Sequence, residues 1–286
     1  MSRALEEKTV AELHVTEWTA TAPPGQTTVP TVLGLPGLSS TGWVWTHLAN
    51  DLPGHRFIAP DLRGRGGSAQ LSGPTGMRAH AKDVAAMAEE LDLRDLVVVG
   101  HSMGAFLAPL VAQEMGERVS RMVLIDGGPR PVLPFFMTKG MVRLTFTMNL
   151  KKADKDYSSV EAFVDRFGKK MIANRPDLRP VLVEALAHDL ATTAGGVRPV
   201  IDVQRAAADA VDCFFNPEVQ AALLGLAVPA HLIAATAGAS DKAKAFLADK
   251  VIDLAVAQVR TLTAERITGN HLTVLYTPEV IKAVTG

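Results

Sequence analysis

The stretch Leu96-Val97-Val98-Val99-Gly100-His101-Ser102-Met103-Gly104 decides the fold. It opens with consecutive apolar residues, as is typical of a parallel strand buried on both faces. Residues 103–115 are apolar nearly all round, which predicts a buried helix. Between strand and helix, the small residues Gly100 and Gly104 allow a tight turn that presents the Ser102 hydroxyl above the carboxyl end of the strand. The dipole and the first N–H groups of the helix would point to the same place.

Short apolar runs bounded by turn residues recur on both sides of this stretch, and helical segments separate them. The runs predict strands over residues 13–20, 28–35, 56–60, 96–100, 121–126, 231–235 and 263–268. Helices are predicted over residues 75–91 and 103–115. This alternation indicates an α/β fold, in which a mostly parallel central sheet is flanked by helices.

The alternation stops between residues 129 and 216, where a mostly helical section appears. An insertion of this size predicts a helical cap after the strand at 121–126, the sixth strand of such a fold. The predicted units are a core domain of residues 1–128 and 217–286 and a cap of residues 129–216. The cap carries apolar, deformable side chains suited to a bulky hydrophobic ligand. They are Phe135, Phe136, Met137, Met141, Leu144, Phe146 and Met148.

The composition argues against several classes of function. With 29 basic and 30 acidic side chains, the chain has no charge excess that would favour nucleic acid. The single cysteine, Cys213, excludes an internal disulfide and a multi-cysteine metal site. No signal-peptide core is visible near the N-terminus, and Pro229 interrupts the uncharged stretch 221–239. We therefore expect a cytoplasmic protein with no membrane partner, and a homodimer is left open.

Three further motifs accompany the Gly-x-Ser-x-Gly turn in a fixed order along the chain. They are Leu35-Pro36-Gly37-Leu38, the loop Asp61-Leu62-Arg63-Gly64-Arg65-Gly66-Gly67-Ser68, and Gly269-Asn270-His271. From about residue 28 to the C-terminus, the chain resembles the α/β-hydrolase superfamily. It departs from the family at Pro36, where histidine is usual. The resemblance implies a serine hydrolase that needs no cofactor or metal. It also implies an oxyanion hole formed by the backbone N–H groups of Leu38 and Met103.

A catalytic triad needs a base and an acid in addition to Ser102. His271 is the predicted base because it follows the last strand, whereas His101 is adjacent to Ser102 at a sharp turn and points away from it. Two aspartates are candidates for the acid. Asp126 ends a predicted strand at a position that some family members use, including lactonases of resorcylic macrolactones. Asp241 lies after the next strand, at the commoner family position; we prefer Asp126 and keep Asp241 as the alternative.

These residues predict attack of Ser102 on a carboxylic ester or lactone, followed by hydrolysis. The favoured substrate is a bulky hydrophobic small molecule, with a macrolactone such as zearalenone as the specific expectation. Phe136, Met137, Met141 and His188 are the predicted substrate-binding residues. The alternatives are a small-molecule receptor with a slow triad, a thioesterase, and a carbon–carbon bond hydrolase.

Overall fold

The computed structural model describes residues 4–21 and 29–286. Within these ranges the strands are β1 (Leu5–Val10), β2 (Leu13–Trp18), β3 (Thr31–Leu35), β4 (Arg56–Pro60), β5 (Leu96–His101), β6 (Val119–Ile125), β7 (Leu190–Thr193), β8 (Gly196–Pro199), β9 (Ala230–Ala235) and β10 (Leu262–Ile267). Eight of them form one sheet in the order β1-β2-β4-β3-β5-β6-β9-β10, and β7 and β8 form a separate hairpin. Strand β2 pairs antiparallel with β1 and β4, and the pairs from β4 to β10 are parallel.

Helices cover both faces of this sheet. They are α1 (Thr46–Asp51), α2 (Met77–Glu90), α3 (Met103–Met115), α4 (Lys139–Ala153), α5 (Val160–Phe167), α6 (Arg179–Ala187), α7 (Val203–Phe215), α8 (Pro217–Leu224), α9 (Asp249–Gln258) and α10 (Pro278–Thr285). Among the described residues, no helix combines the length and apolar character needed to cross a bilayer.

Strand β5 shows why its sequence is apolar at consecutive positions. Leu96 and Val98 belong to the apolar cluster on one face of the sheet, and Val97 and Val99 belong to the cluster on the other. Because side chains alternate between the two faces of a strand, a strand covered on both faces needs apolar residues at every position.

The predicted strands are confirmed, with ends that shift by a few residues. The strand predicted from residue 28 begins at Thr31, and residue 28 itself lies outside the described ranges. The helix predicted over 103–115 is confirmed without change. The sequence missed β1, whose side chains are mostly exposed and therefore show no apolar period. It also missed the β7–β8 hairpin.

We call residues 129–216 the cap segment. It contains α4 to α7 and the β7–β8 hairpin, so it is mostly helical, as predicted. Helix α4 packs along α7, and α7 also contacts α2 and α3 of the sheet layer. At the predicted boundary, Asn216 ends α7 and caps α8, because its side chain accepts a hydrogen bond from the N–H of Glu218. The division of the chain into two domains stays a prediction.

Candidate active site

Ser102 occupies a sharp turn between β5 and α3. Its φ of 54° and ψ of −116° lie in a region that side-chain-bearing residues seldom adopt. A Cβ added at Gly100 would overlap the carbonyl of Gly104, and one added at Gly104 would overlap the carbonyl of Leu35. The two glycines are therefore required by close backbone approach. The turn places Ser102 at the N-terminus of α3, as the sequence predicts.

Asp126 follows β6 directly and is fully buried. Its N–H donates to the carbonyl of Ile233 at 2.8 Å, and its Oδ1 accepts from the N–H of Ala235 at 3.0 Å. Its Oδ2 lies 2.6 Å from Nδ1 of His271. Since an ionised carboxylate only accepts hydrogen bonds, this contact places the imidazole proton on Nδ1 and leaves Nε2 free to accept a proton.

His271 lies in the loop after β10, where its N–H donates to the carbonyl of Gly238 at 2.9 Å. Asp241, the alternative acid, does not contact this imidazole. Its Oδ1 instead accepts a hydrogen bond from Nδ2 of Asn270 at 2.7 Å. Asn270 in turn accepts from the N–H of Leu272 through its Oδ1. Asp241 therefore holds the turn that carries His271, whereas Asp126 holds the imidazole.

The neighbouring histidine, His101, is placed differently. Its Nε2 lies 2.8 Å from the carbonyl oxygen of His271, so Nε2 carries the proton. Burial, aided by the nearby His271, lowers the pKa of His101 to about 3. His101 is therefore a neutral side chain bound to the backbone of the histidine loop.

Leu38 and Met103, whose N–H groups the resemblance assigns to an oxyanion hole, lie beside Ser102 in the same cavity. Met103 is the first residue of α3, so its N–H has no acceptor within the helix. A buried arginine joins the two residues: Nε of Arg65 donates to the carbonyl of Leu38 at 2.8 Å, and its Nη2 lies 3.6 Å from Sδ of Met103.

Arg65 is fixed from the cap segment by Asp209 on α7. Its Nη1 donates to Oδ2 of Asp209 at 2.6 Å, and Nε2 of His80 lies 3.0 Å from the same oxygen. Burial would raise the pKa of the Asp209 carboxyl, but His80 and Arg65 outweigh it and hold that pKa below its ordinary value. The sequence alone does not reveal this cluster. The available signal was the presence of two aspartates, Asp209 and Asp212, among the alanines of α7.

Among the cavities formed by described residues, two are lined by Ser102 and His271 and also share Leu38 and Phe146. The smaller, about 310 Å³, is walled mainly by apolar side chains. These include Met103, Phe106, Cys213, Phe214 and Phe246. The larger, about 430 Å³, is walled by α4, α5 and α6 of the cap segment and by the C-terminal turn.

The structure does not bring the four predicted substrate-binding residues to Ser102. Phe136 is 56% exposed and Met141 is 42% exposed, and neither lines these two cavities. Met137 lines a separate groove. His188 stacks on Trp43 with ring centroids 3.2 Å apart.

Phe146 is the member of the predicted apolar wall that faces Ser102. The sequence could not show which side of α4 faces inward, because apolar residues occur around the whole helix. Missed wall residues come from α5 and α6 and include Phe163, Phe167 and Leu182. Within the described ranges, no group of three or more His, Cys, Asp or Glu side chains is arranged to hold a metal ion.

Comparisons with known proteins agree with this architecture. Residues 30–168 match the family model described as alpha/beta hydrolase fold. Over 93 residues the chain is 43% identical to a non-heme haloperoxidase of Rhodococcus erythropolis, across 32% of this chain and 34% of that protein. Over 117 residues it is 32% identical to the lipase LipV of Mycobacterium tuberculosis, across 41% of this chain and 42% of that protein. The chain thus spans less than half the length of these curated relatives.

Similarity of structure extends further than similarity of sequence. The crystal structure of E-2-(acetamidomethylene)succinate hydrolase superposes on 99% of this chain and 98% of its own, with a TM-score of 0.77 and 17% identity. A likeness at this level of identity concerns the fold.

Proposed function

We propose that this chain, which has the α/β-hydrolase fold, is a serine hydrolase that cleaves an ester-type bond in a hydrophobic small molecule. One observation carries the proposal. Ser102, on its sharp turn, shares two cavities with His271, and Nδ1 of His271 lies 2.6 Å from the buried carboxylate of Asp126. A nucleophile, a base and an acid that orients the base are the parts that serine acyl transfer requires.

In the proposed reaction, Ser102 Oγ attacks the substrate carbonyl carbon while His271 Nε2 takes the serine proton. The N–H groups of Leu38 and Met103 bind the oxyanion of the tetrahedral intermediate. His271 then gives its proton to the departing alcohol, which leaves an acyl ester on Ser102. Water attacks this ester with His271 again as the base, and the acid product is released. Asp126 stabilises the imidazolium that forms in each half of the cycle.

The Ser102 hydroxyl makes no hydrogen bond to another group of the described chain. Catalytic hydrogen bonds are often long before substrate binds and tighten in the complex. We therefore assign the bond between Ser102 and His271 to the substrate-bound state.

The cavities support a hydrophobic substrate. Phe146 stands where they meet at Ser102, so the acyl part would occupy one cavity and the alcohol part the other. The similarity to a lipase supports an ester as the bond cleaved. Within this class, a macrolactone such as zearalenone stays a prediction from the sequence. A thioester or an activated carbon–carbon bond would use the same machinery.

A hydrolysis panel read by mass spectrometry tests the proposal. It contains p-nitrophenyl esters, acyl thioesters, zearalenone and a β-diketone, each incubated with the wild type and with Ser102→Ala. We expect turnover of at least one ester by the wild type and none by the variant. Binding without turnover across the panel would favour a receptor instead.

Labelling with a serine-directed phosphonate gives an independent test. We expect one adduct, located on Ser102. Ser40→Ala is a matched control, because Ser40 lines the larger cavity but lies outside the sharp turn. This variant should label like the wild type. An adduct on Ser40, or none at all, would contradict the assigned nucleophile.

A further inference from the structure

Two of the polar residues that line the larger cavity each have a polar atom with no hydrogen-bond partner among the described residues, and the proposed reaction uses neither of them. Besides Ser102 and His271, the cavity is lined by Asp189, which follows α6, and by Tyr276 in the C-terminal turn. Most of the remaining wall is apolar, with side chains such as Leu182 and Met171. In a mainly apolar pocket, a small number of placed polar groups usually fixes the orientation of the ligand.

Asp189 is buried, and one of its two carboxyl oxygens is occupied. Oδ1 accepts hydrogen bonds from the N–H of Thr41 at 3.0 Å and from Oγ1 of Thr41 at 2.6 Å. In the part of the chain that the structure describes, nothing donates to Oδ2 and no cationic side chain pairs with Asp189. Burial raises the pKa of this carboxyl to about 7, although the bonds from Thr41 oppose the shift. Oδ2 is therefore an acceptor at the cavity wall that has no donor among the described residues.

Tyr276 also has a polar group without a partner, in this case a hydrogen-bond donor. Its hydroxyl is buried and has no hydrogen-bond partner among the described residues. Burial, with a contribution from the charge of Asp189, raises the pKa of this hydroxyl, so it keeps its proton. A buried hydroxyl without a partner has lost its hydrogen bonds to water without replacement, and such a group in a native protein calls for an explanation.

We propose that Asp189 and Tyr276 bind a hydroxyl group of the substrate, so that the protein selects hydroxylated esters whose remaining surface is apolar. The substrate hydroxyl donates to Oδ2 of Asp189 and accepts from the hydroxyl of Tyr276, which supplies a partner to each of these two polar atoms. A neutral hydroxyl fits better than an ammonium group, because burying a cation in this apolar cavity carries a larger desolvation cost. The inference rests on the proposed ester hydrolysis for its catalytic readout.

The test uses p-nitrophenyl esters of straight-chain acids and of their terminally hydroxylated counterparts, over a series of chain lengths. At the length that reaches the pair, we expect the hydroxylated ester to exceed its plain counterpart in kcat/KM by about tenfold or more. The measured quantity is the ratio of the two kcat/KM values. In Tyr276→Phe and in Asp189→Asn this ratio should fall to about one.

Tyr157→Phe is the matched control, because Tyr157 is the only other tyrosine of the chain and lies outside the cavity lining. It should keep the ratio of the wild type. Calorimetric binding of the same ester pairs to Ser102→Ala reads the preference without turnover, so the inference can be judged apart from the proposed reaction.

Several outcomes would overturn the inference. Turnover of plain and hydroxylated esters at equal rates, at every chain length, would remove the hydroxyl preference and leave the proposed hydrolysis intact. Equal binding of the two esters of each pair to Ser102→Ala would also remove the hydroxyl preference, whether or not the wild type cleaves any ester. If both variants kept the kcat/KM ratio of the wild type, the preference would come from other residues. If an ester with a terminal amino group were preferred over the hydroxylated ester, the pair would bind a cation and not a hydroxyl group.

Discussion

The strand ends and the cap segment contribute different kinds of group to the site. Ser102, Asp126 and His271 follow β5, β6 and β10, and each is held by backbone hydrogen bonds to neighbouring strands or loops. The cap segment contributes helix side chains that wall the cavities and two buried aspartates that each bind a core loop, Asp189 and Asp209. The groups that we propose to react therefore follow strands of the sheet, whereas those that we propose to select and position the substrate lie in the cap segment. Changes at strand ends should reduce kcat by orders of magnitude, and changes in the cap segment should have smaller effects.

The largest expected effect is that of Ser102→Ala, which removes the nucleophile. In a serine protease the corresponding loss is about a million-fold in kcat, and we expect at least ~10⁴-fold here. The fold should survive, because the change deletes only a hydroxyl that makes no hydrogen bond within the described chain. Initial rates on the best ester of the panel and a thermal melt measure the two effects. Retention of more than a few per cent of the activity would break the assignment of chemistry to the strand ends.

The second prediction compares Asp126→Asn with Asp241→Asn. The amide keeps the shape of Asp126 but offers His271 the wrong hydrogen-bonding partner, a change that costs about ten-thousand-fold in a serine protease, or about 5 kcal/mol. Asp241→Asn affects only the turn around Asn270, so we expect a loss of about tenfold or less. Values of kcat for the two folded variants decide the comparison. If Asp241→Asn were the more crippled, the acid would lie after β9 instead of β6.

The same pair of aspartates shows which part of the site the sequence alone could not decide. The strands were predictable because each is an apolar run bounded by turn residues. The sequence favours Asp126 over Asp241 without deciding between them, since the decision depends on the register of β6 against β9, which brings Ala235 to Asp126, and on the path of the loop after β10, which brings His271. A strand register is set by packing across the whole sheet, and one stretch of sequence does not contain it.

The cap segment was predictable only as mostly helical. Phe146 faces the site, while Met141 and Met148 on the same helix are 42% and 51% exposed. The contact between Arg65 and Asp209 joins residues 144 positions apart, and that between Thr41 and Asp189 joins residues 148 apart. Contacts at such separations depend on how the helices dock on the sheet, so a single sequence without its fold does not reveal them.

The third prediction concerns Arg65, through which the cap segment reaches the oxyanion loop. Arg65→Lys keeps a charge for Asp209 but loses the directed bond to the carbonyl of Leu38, so the N–H groups that bind the oxyanion become less well placed. Removing one oxyanion donor costs about 10²–10³ in kcat, and loosening one should cost roughly 10-fold to 100-fold. Because the oxyanion forms only during the reaction, KM should change much less than kcat.

Arg63→Lys is the matched control for this variant. Arg63 belongs to the same loop and is similarly buried, but it pairs with Asp83 on α2. We expect its kcat to stay within about threefold of the wild type, since Arg63 bonds to Asp83 and to the carbonyl of Ser72, and neither residue lines the cavities at Ser102. Equal losses of kcat in the two variants would show that the whole loop matters and not Arg65 in particular. An unchanged kcat in Arg65→Lys would show that the contact between the cap segment and this loop does not affect the reaction.

The last prediction concerns stability in place of rate, and it follows from the cost of keeping Asp189 buried for ligand binding. Burial raises the pKa of Asp189 from 3.8 to about 7 in the folded protein. Between these two values the folded protein holds a proton that the unfolded chain has released, so stability falls as pH rises through this range and changes no further above it. Asp189→Asn cannot titrate, and its melting temperature relative to the wild type should therefore rise from about pH 4 to about pH 7 and then level off. Thermal melts of both proteins across this range measure the difference, and only its slope with pH matters, because any lost hydrogen bond shifts all points alike. A difference that is constant with pH would mean that the cap segment holds Asp189 at no electrostatic cost.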